Sequence, residues 1–161
     1  MHIFQPPGTT LRYKIDGYWH YGILVHSGYV IHNSKLHGRV VKESYWDFAA
    51  GRDVEAYHCI SSASLDLACK RAHQYIGMAY KLFTTNCEHF VRIAHGLTPE
   101  SHQIQRAVIA TAAGTVACAS SNRAVQLTAL GTGLATALAS EGSSPVAVSF
   151  WGAVTGFAIH L

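Results

Sequence analysis

Residues 84–96, TTNCEHFVRIAHG, set Asn86, Cys87, Glu88 and His89 in a row directly ahead of an apolar run. Phe90, Val91, Ala94 and Leu97 recur at helical spacing, so a short helix with one buried face is expected. Thr85 or Asn86 is placed to cap its N-terminus, Glu88 suits the positive end of its dipole, and Gly96 marks a stop. Cys87 then falls at about the first helical position. Free amide N–H groups and the dipole favour a thiolate there, which predicts a thiol pKa below its ordinary ~8.5. The competing role is a buried cysteine that fills space. A nucleophilic role requires a base.

The candidate bases lie in WHYGILVHSGYVIHNS, residues 19–34, where His20, His26 and His32 are spaced by six. The run reads as two β-rich segments around Ser27-Gly28, a hairpin. A two- or four-residue loop would pair Ile23 with His32 and turn His32 away from His20. A three-residue loop of His26, Ser27 and Gly28, with Gly28 in the left-handed position, pairs Gly22 with His32 instead. His20 and His32 then share a face as diagonal neighbours, roughly 7–8 Å apart between backbones. Gly22 interposes no side chain. His26 falls in the turn. No carboxylate or cysteine completes a metal set at recognisable spacing, so neither a metal nor another cofactor is expected. His89, two residues from Cys87 on a helix, points to roughly the opposite side and is excluded as the base. His37, His58, His73, His95, His102 and His160 have no comparable partner and are expected in ordinary surface or core roles.

These residues need a scaffold. Residues 11–16 read as a strand, 38–44 as a third strand after the hairpin, 44–53 as an irregular connection, and 54–60 as another strand. Ser64 caps a helix with apolar Leu65, Ala68, Ala72 and Ile76, which Gly77 stops. Strands followed by helices argue an α+β fold with a mainly antiparallel sheet and packed helices.

Of 21 charged residues, only Arg123 and Glu141 lie in 107–161, a stretch rich in Ala, Gly, Thr, Ser and Val. The change of composition near Gln103–Arg106 predicts a catalytic domain over 1–102 and an apolar helical region over 103–161. Four cysteines, at 59, 69, 87 and 118, form no CxxC pair or zinc-like spacing, which points to a reducing compartment. MHIFQPPGTT carries neither a basic nor an apolar signal region, so a cytoplasmic location is expected. A net charge of +3 without a basic-aromatic cluster excludes nucleic acid as an expected partner.

The joint pattern resembles the lecithin:retinol acyltransferase family, permuted relatives of the papain-like NlpC-type cysteine peptidases. The residues that carry the resemblance are His20-Tyr21-Gly22-Ile23, His32 twelve positions later, and Asn86-Cys87-Glu88-His89-Phe90, within roughly residues 8–97. Phe48 and Gly51 match an F..G pattern after the third strand. The resemblance implies Cys87 as nucleophile, His20 as general base and His32 as the residue that orients His20. It also places Tyr18, two positions before the first histidine, on the wall of the site, against a plain packing role on the hairpin. The Cys87 amide would serve the oxyanion. Asn86 and Glu88 would then cap the helix and answer its dipole, with His89 in packing or hydrogen bonding.

The chemistry so implied is acyl transfer through a thioester, with a phospholipid or other acyl ester as substrate. Two other functions compete: a cysteine peptidase or amidase, as in the wider superfamily, and a non-catalytic module that interacts with membranes. Arg106, Arg123 and Glu141 cut the tail into uncharged runs of 16, 17 and 20 residues. A spanning helix needs ~20 strongly apolar residues. The tail is therefore read as inserted in or associated with a membrane, or as a helical hairpin packed on itself or on the catalytic domain. Gly152-x-x-x-Gly156 allows close helix contact and Pro145 should separate the last segment.

Overall fold

The computed structural model describes residues 5–138. The chain divides after Ser101 into two compact units.

The first unit is α+β. Five strands form one antiparallel sheet in the order β4-β3-β2-β1-β5. They are β1 (Thr10–Ile15), β2 (Tyr18–Val25), β3 (Tyr29–Ser34), β4 (Arg39–Ser44) and β5 (Glu55–Ala56). Helices α1 (Tyr45–Ala49), α2 (Leu65–Gln74) and α3 (Cys87–Ala94) complete it.

Alternation along the strands divides the apolar side chains between the two sheet faces. Tyr21, Ile23, Val25, Ile31 and Val40 pack with Ala72 of α2 and with Phe90, Val91 and Ala94 of α3. Leu24 and Val30 pack on the other face with Leu11, Tyr13 and Phe48. Leu97 is partly buried against the first cluster. The face expected for α3 is thus the buried one.

His26, Ser27 and Gly28 form the three-residue turn between β2 and β3. Its register, Ile23 with Ile31 and Leu24 with Val30, sets Gly22 against His32, as the hairpin pattern predicts. Ser27 shares the left-handed conformation with Gly28 (φ 64° and 73°). His26 is exposed in the turn.

Three elements differ from expectation. The connection after β4 contains helix α1, which Ser44 caps by accepting from the Asp47 N–H at 3.1 Å. At five residues it is too short to announce itself by periodicity. The strand expected over 54–60 shrinks to Glu55–Ala56, which pairs only with Leu11 and Arg12. Beyond it the Tyr57 N–H reaches the Thr10 carbonyl at 2.8 Å, and the Ile60 carbonyl accepts from Thr10 Oγ1 at 2.7 Å. The first of these continues the β1–β5 register by one residue, and the second is a side-chain contact outside the ladder. Helix α2 starts after Ser64 as expected, but ends at Gln74, leaving Ile76 beyond it and 46% exposed.

The second unit contains α4 (His102–Ala119) and α5 (Arg123–Leu138), joined by a short turn and packed on each other. Ala113, Ala117 and Thr136 are buried. Among the described residues no helix is long and apolar enough to cross a membrane. The run 142–161, with Pro145, Gly152 and Gly156, lies outside the described residues.

Candidate active site

The hairpin brings His20 and His32 together. Gly22 makes the contact possible: a Cβ built there would stand 2.6 Å from Val30 Cγ1, 2.9 Å from Phe48 Cε2 and 3.2 Å from His32 Cβ. Both imidazoles are buried, with His20 Nε2 2.8 Å from His32 Nδ1 and the rings at 89° to each other. Tyr13, opposite His20 in the β1–β2 ladder, places its ring 5.3 Å from that of His20. Phe48 of α1 lies against both histidines, at 5.8 Å and 5.1 Å between centroids.

A further residue joins the pair. His32 Nε2 lies 2.7 Å from Glu43 Oε2. In the β3–β4 ladder His32 pairs with Val41 and Val30 with Glu43, so Glu43 and His32 point to one face. The sequence alone does not single out Glu43. Its signal was the β3–β4 register, which the period-2 pattern of residues 38–44 leaves unassigned until the turn over 35–38 is known.

The two histidines border a cavity of about 690 Å³, also lined by Tyr18, Glu43, Phe48 and Arg52. Tyr18 is 43% exposed there. Burial holds His20 far below the ordinary imidazole value of 6.5, at about 3, helped by His32 and then Arg52. His32 is also lowered by burial, while its bond to Glu43 pulls the other way. Both rings are therefore neutral near pH 7.

Cys87 opens α3 as expected, with Asn86 as the cap: its Oδ1 accepts from the Glu88 N–H at 3.0 Å and the His89 N–H at 3.1 Å. Glu88 is buried and accepts from Ser101 Oγ at 2.7 Å. His89 is buried too, and its Nδ1 has no hydrogen-bond partner among the described residues. His95, expected in an ordinary role, ties β1 to the loop before α2 through Thr10 Oγ1 at 2.8 Å and the Ser62 N–H at 3.1 Å.

The thiol itself is 6% exposed and packs with the α3 face of the sheet. Its Sγ lies 3.9 Å from the Trp19 carbonyl, and the Tyr21 amide also faces it, so the sulfur meets the β2 backbone on either side of His20. It does not line the cavity and makes no hydrogen bond to the His20 ring. The expected lowering of the thiol pKa is reversed: burial pushes it up to about 12, although the amides of Tyr21, Glu88 and Cys87 itself favour the thiolate. Loss of water outweighs the helix terminus.

The histidine pair on adjacent strands and the cysteine at a helix start coincide with a family pattern. Residues 5–97 match the family model described as Lecithin retinol acyltransferase. The chain belongs to the lecithin retinol acyltransferase family. That family's general activity is of the acyltransferase or phospholipase type, and the match spans β1 to α3, with His20, His32, Glu43 and Cys87 inside it. No curated protein matches the chain.

Proposed function

We propose that this member is a thiol-dependent acyltransferase or phospholipase that cleaves lipid acyl esters through a thioester on Cys87. The observation that carries the reading is the His20–His32 hydrogen bond, which occupies His20 Nε2 and leaves Nδ1 as the nitrogen for a thiol proton.

With the thiol and both imidazoles neutral, attack and proton transfer run together. Cys87 Sγ bonds to the ester carbonyl carbon as its proton passes to His20 Nδ1, and the C=O electron pair moves to the oxygen. The Cys87 amide at the helix start is the donor for that oxyanion. Collapse breaks the ester C–O bond, and His20 returns the proton to the leaving alcohol. An acceptor then loses its proton to His20 as it attacks the thioester, and the thiol is regenerated. Cys87 must turn from the Trp19 carbonyl toward His20 for the first step. Tyr18, Phe48 and Arg52 line the space in which the ester would lie.

The test is a mass measurement. After incubation with a diacyl phospholipid and an acid quench, the protein should gain one acyl group on Cys87 that hydroxylamine removes. Cys87→Ser should lack the labile adduct. Absence of both adduct and turnover on lipid, short-chain ester and peptide substrates would refute the proposal.

One observation favours a second reading, a non-catalytic domain in which Cys87 fills space: the sulfur is buried, its pKa is raised to about 12, and its hydrogen-bond partner is the Trp19 carbonyl. A peptidase or amidase has no such observation in its favour.

A further inference from the structure

We propose that Glu43 is a positioning residue that fixes the tautomers of both histidines, so that His20 presents an unprotonated Nδ1. The inference rests on the reading of His20 as general base.

Hydrogen-bond roles propagate from Glu43 through His32 to His20. A carboxylate only accepts, so His32 Nε2, 2.7 Å from Glu43 Oε2, must carry a proton and donate. A neutral imidazole has one N–H, and burial keeps His32 neutral, so its Nδ1 accepts. His20 Nε2, 2.8 Å away, is then the donor. His20 is neutral as well, which puts its lone pair on Nδ1. Without a pure acceptor at position 43 the chain can run backwards. His32 would then hold its proton on Nδ1, and His20 would hold its own on Nδ1, where it blocks the base.

The other groups around this chain do not substitute for Glu43. His37 Nδ1 lies 3.6 Å from Glu43 Oε1, the carboxylate oxygen that His32 does not use. Arg52 acts on His20 only through its charge, and Tyr13 and Phe48 meet the rings by their faces and edges.

Glu43→Gln decides the matter, because a carboxamide of the same shape donates as readily as it accepts. Two readouts on the full chain apply. Nitrogen-15 NMR of the imidazoles near neutral pH should find Nε2–H on both His20 and His32 in the wild type, and a mixed or reversed population in Glu43→Gln. Turnover should fall at least about tenfold in kcat with KM little changed, the signature of a lost transition-state interaction. Glu43→Asp, which keeps a pure acceptor at shorter reach, should retain the wild-type tautomers and recover part of kcat. Nδ1–H on His32 in the wild type overturns the proposal without any variant. Unchanged tautomers in Glu43→Gln overturn it too, whatever happens to kcat, and so do shifted tautomers with kcat intact. If the wild-type protein transfers no acyl group, the functional reading fails by itself and the NMR result still judges the lock.

Discussion

Cys87 Sγ rests 3.9 Å from the Trp19 carbonyl, against the backbone immediately before His20 rather than against its ring. A buried neutral thiol in this position is slow toward solvent-borne electrophiles, since the thiolate is the reactive form. Limiting iodoacetamide near neutral pH should therefore label the exposed Cys59 and Cys118 before Cys87. Peptide mapping reads the order. An acyl-chain electrophile that fills the cavity should reverse it, and early labelling of Cys87 by the small reagent would show a thiol more open than its 6% exposure implies.

The two histidines should fail differently. His20→Ala removes the base and should cost about 10²–10⁴-fold in kcat. His32→Ala only loosens it and should cost less, with KM near the wild-type value. Equal, negligible losses measured on a short-chain ester would remove both from the chemistry.

The pH dependence has a definite sign. His20 falls from 6.5 to about 3 on folding and His95 to about 4. Below pH 6.5 the unfolded chain takes up protons that the folded chain refuses, so the stability these groups contribute is full above 6.5 and drains as pH falls toward 4 and 3. Cys87 acts at the other end: raised from 9.0 to about 12, it favours the fold below pH 9 and loses that contribution as pH climbs to 12. Urea midpoints across pH 3–7 should fall with acid, and more gently in His95→Gln. Turnover should persist well below pH 6.5, because the base stays neutral there.

Gly22→Ala should separate the histidine pair. The new methyl would press on Val30, Phe48 and His32, none of which is a free chain end. Overpacking of this kind costs about 1–3 kcal/mol. Chemical denaturation should report that loss, and kcat should drop even at temperatures where the variant is fully folded.

Much of this site was legible from residue types and spacing. The face of α3 followed from Phe90, Val91 and Ala94, and the three-residue turn together with Gly22 put His20 beside His32. What escaped depended on long-range pairing or on solvent. Glu43 was hidden because the register of β4 fixes its face. Tyr13 was hidden because only the β1–β2 ladder sets it opposite His20. The direction of the Cys87 shift was missed because a helix terminus is visible in a sequence, whereas the depth at which it is buried is not. The strand over 54–60 is shorter than its residue types suggest, and the Ile60 carbonyl meets the Thr10 hydroxyl instead, a contact with a distant residue that no pattern within 54–60 announces.

The strand order β4-β3-β2 also bears on how the site comes into being. Glu43, His32 and His20 sit on three consecutive strands, joined by two tight turns, so the loops that must close to align them are short. Cys87 arrives from 55 residues beyond His32, after β5 and α2. Loop-closure entropy grows with that separation, and contacts between near neighbours form sooner. The proton-handling half of the centre can thus assemble as a meander on its own, with the sulfur docking last. In refolding experiments, protection of the β2–β4 amides should precede the disappearance of Cys87 from rapid thiol labelling.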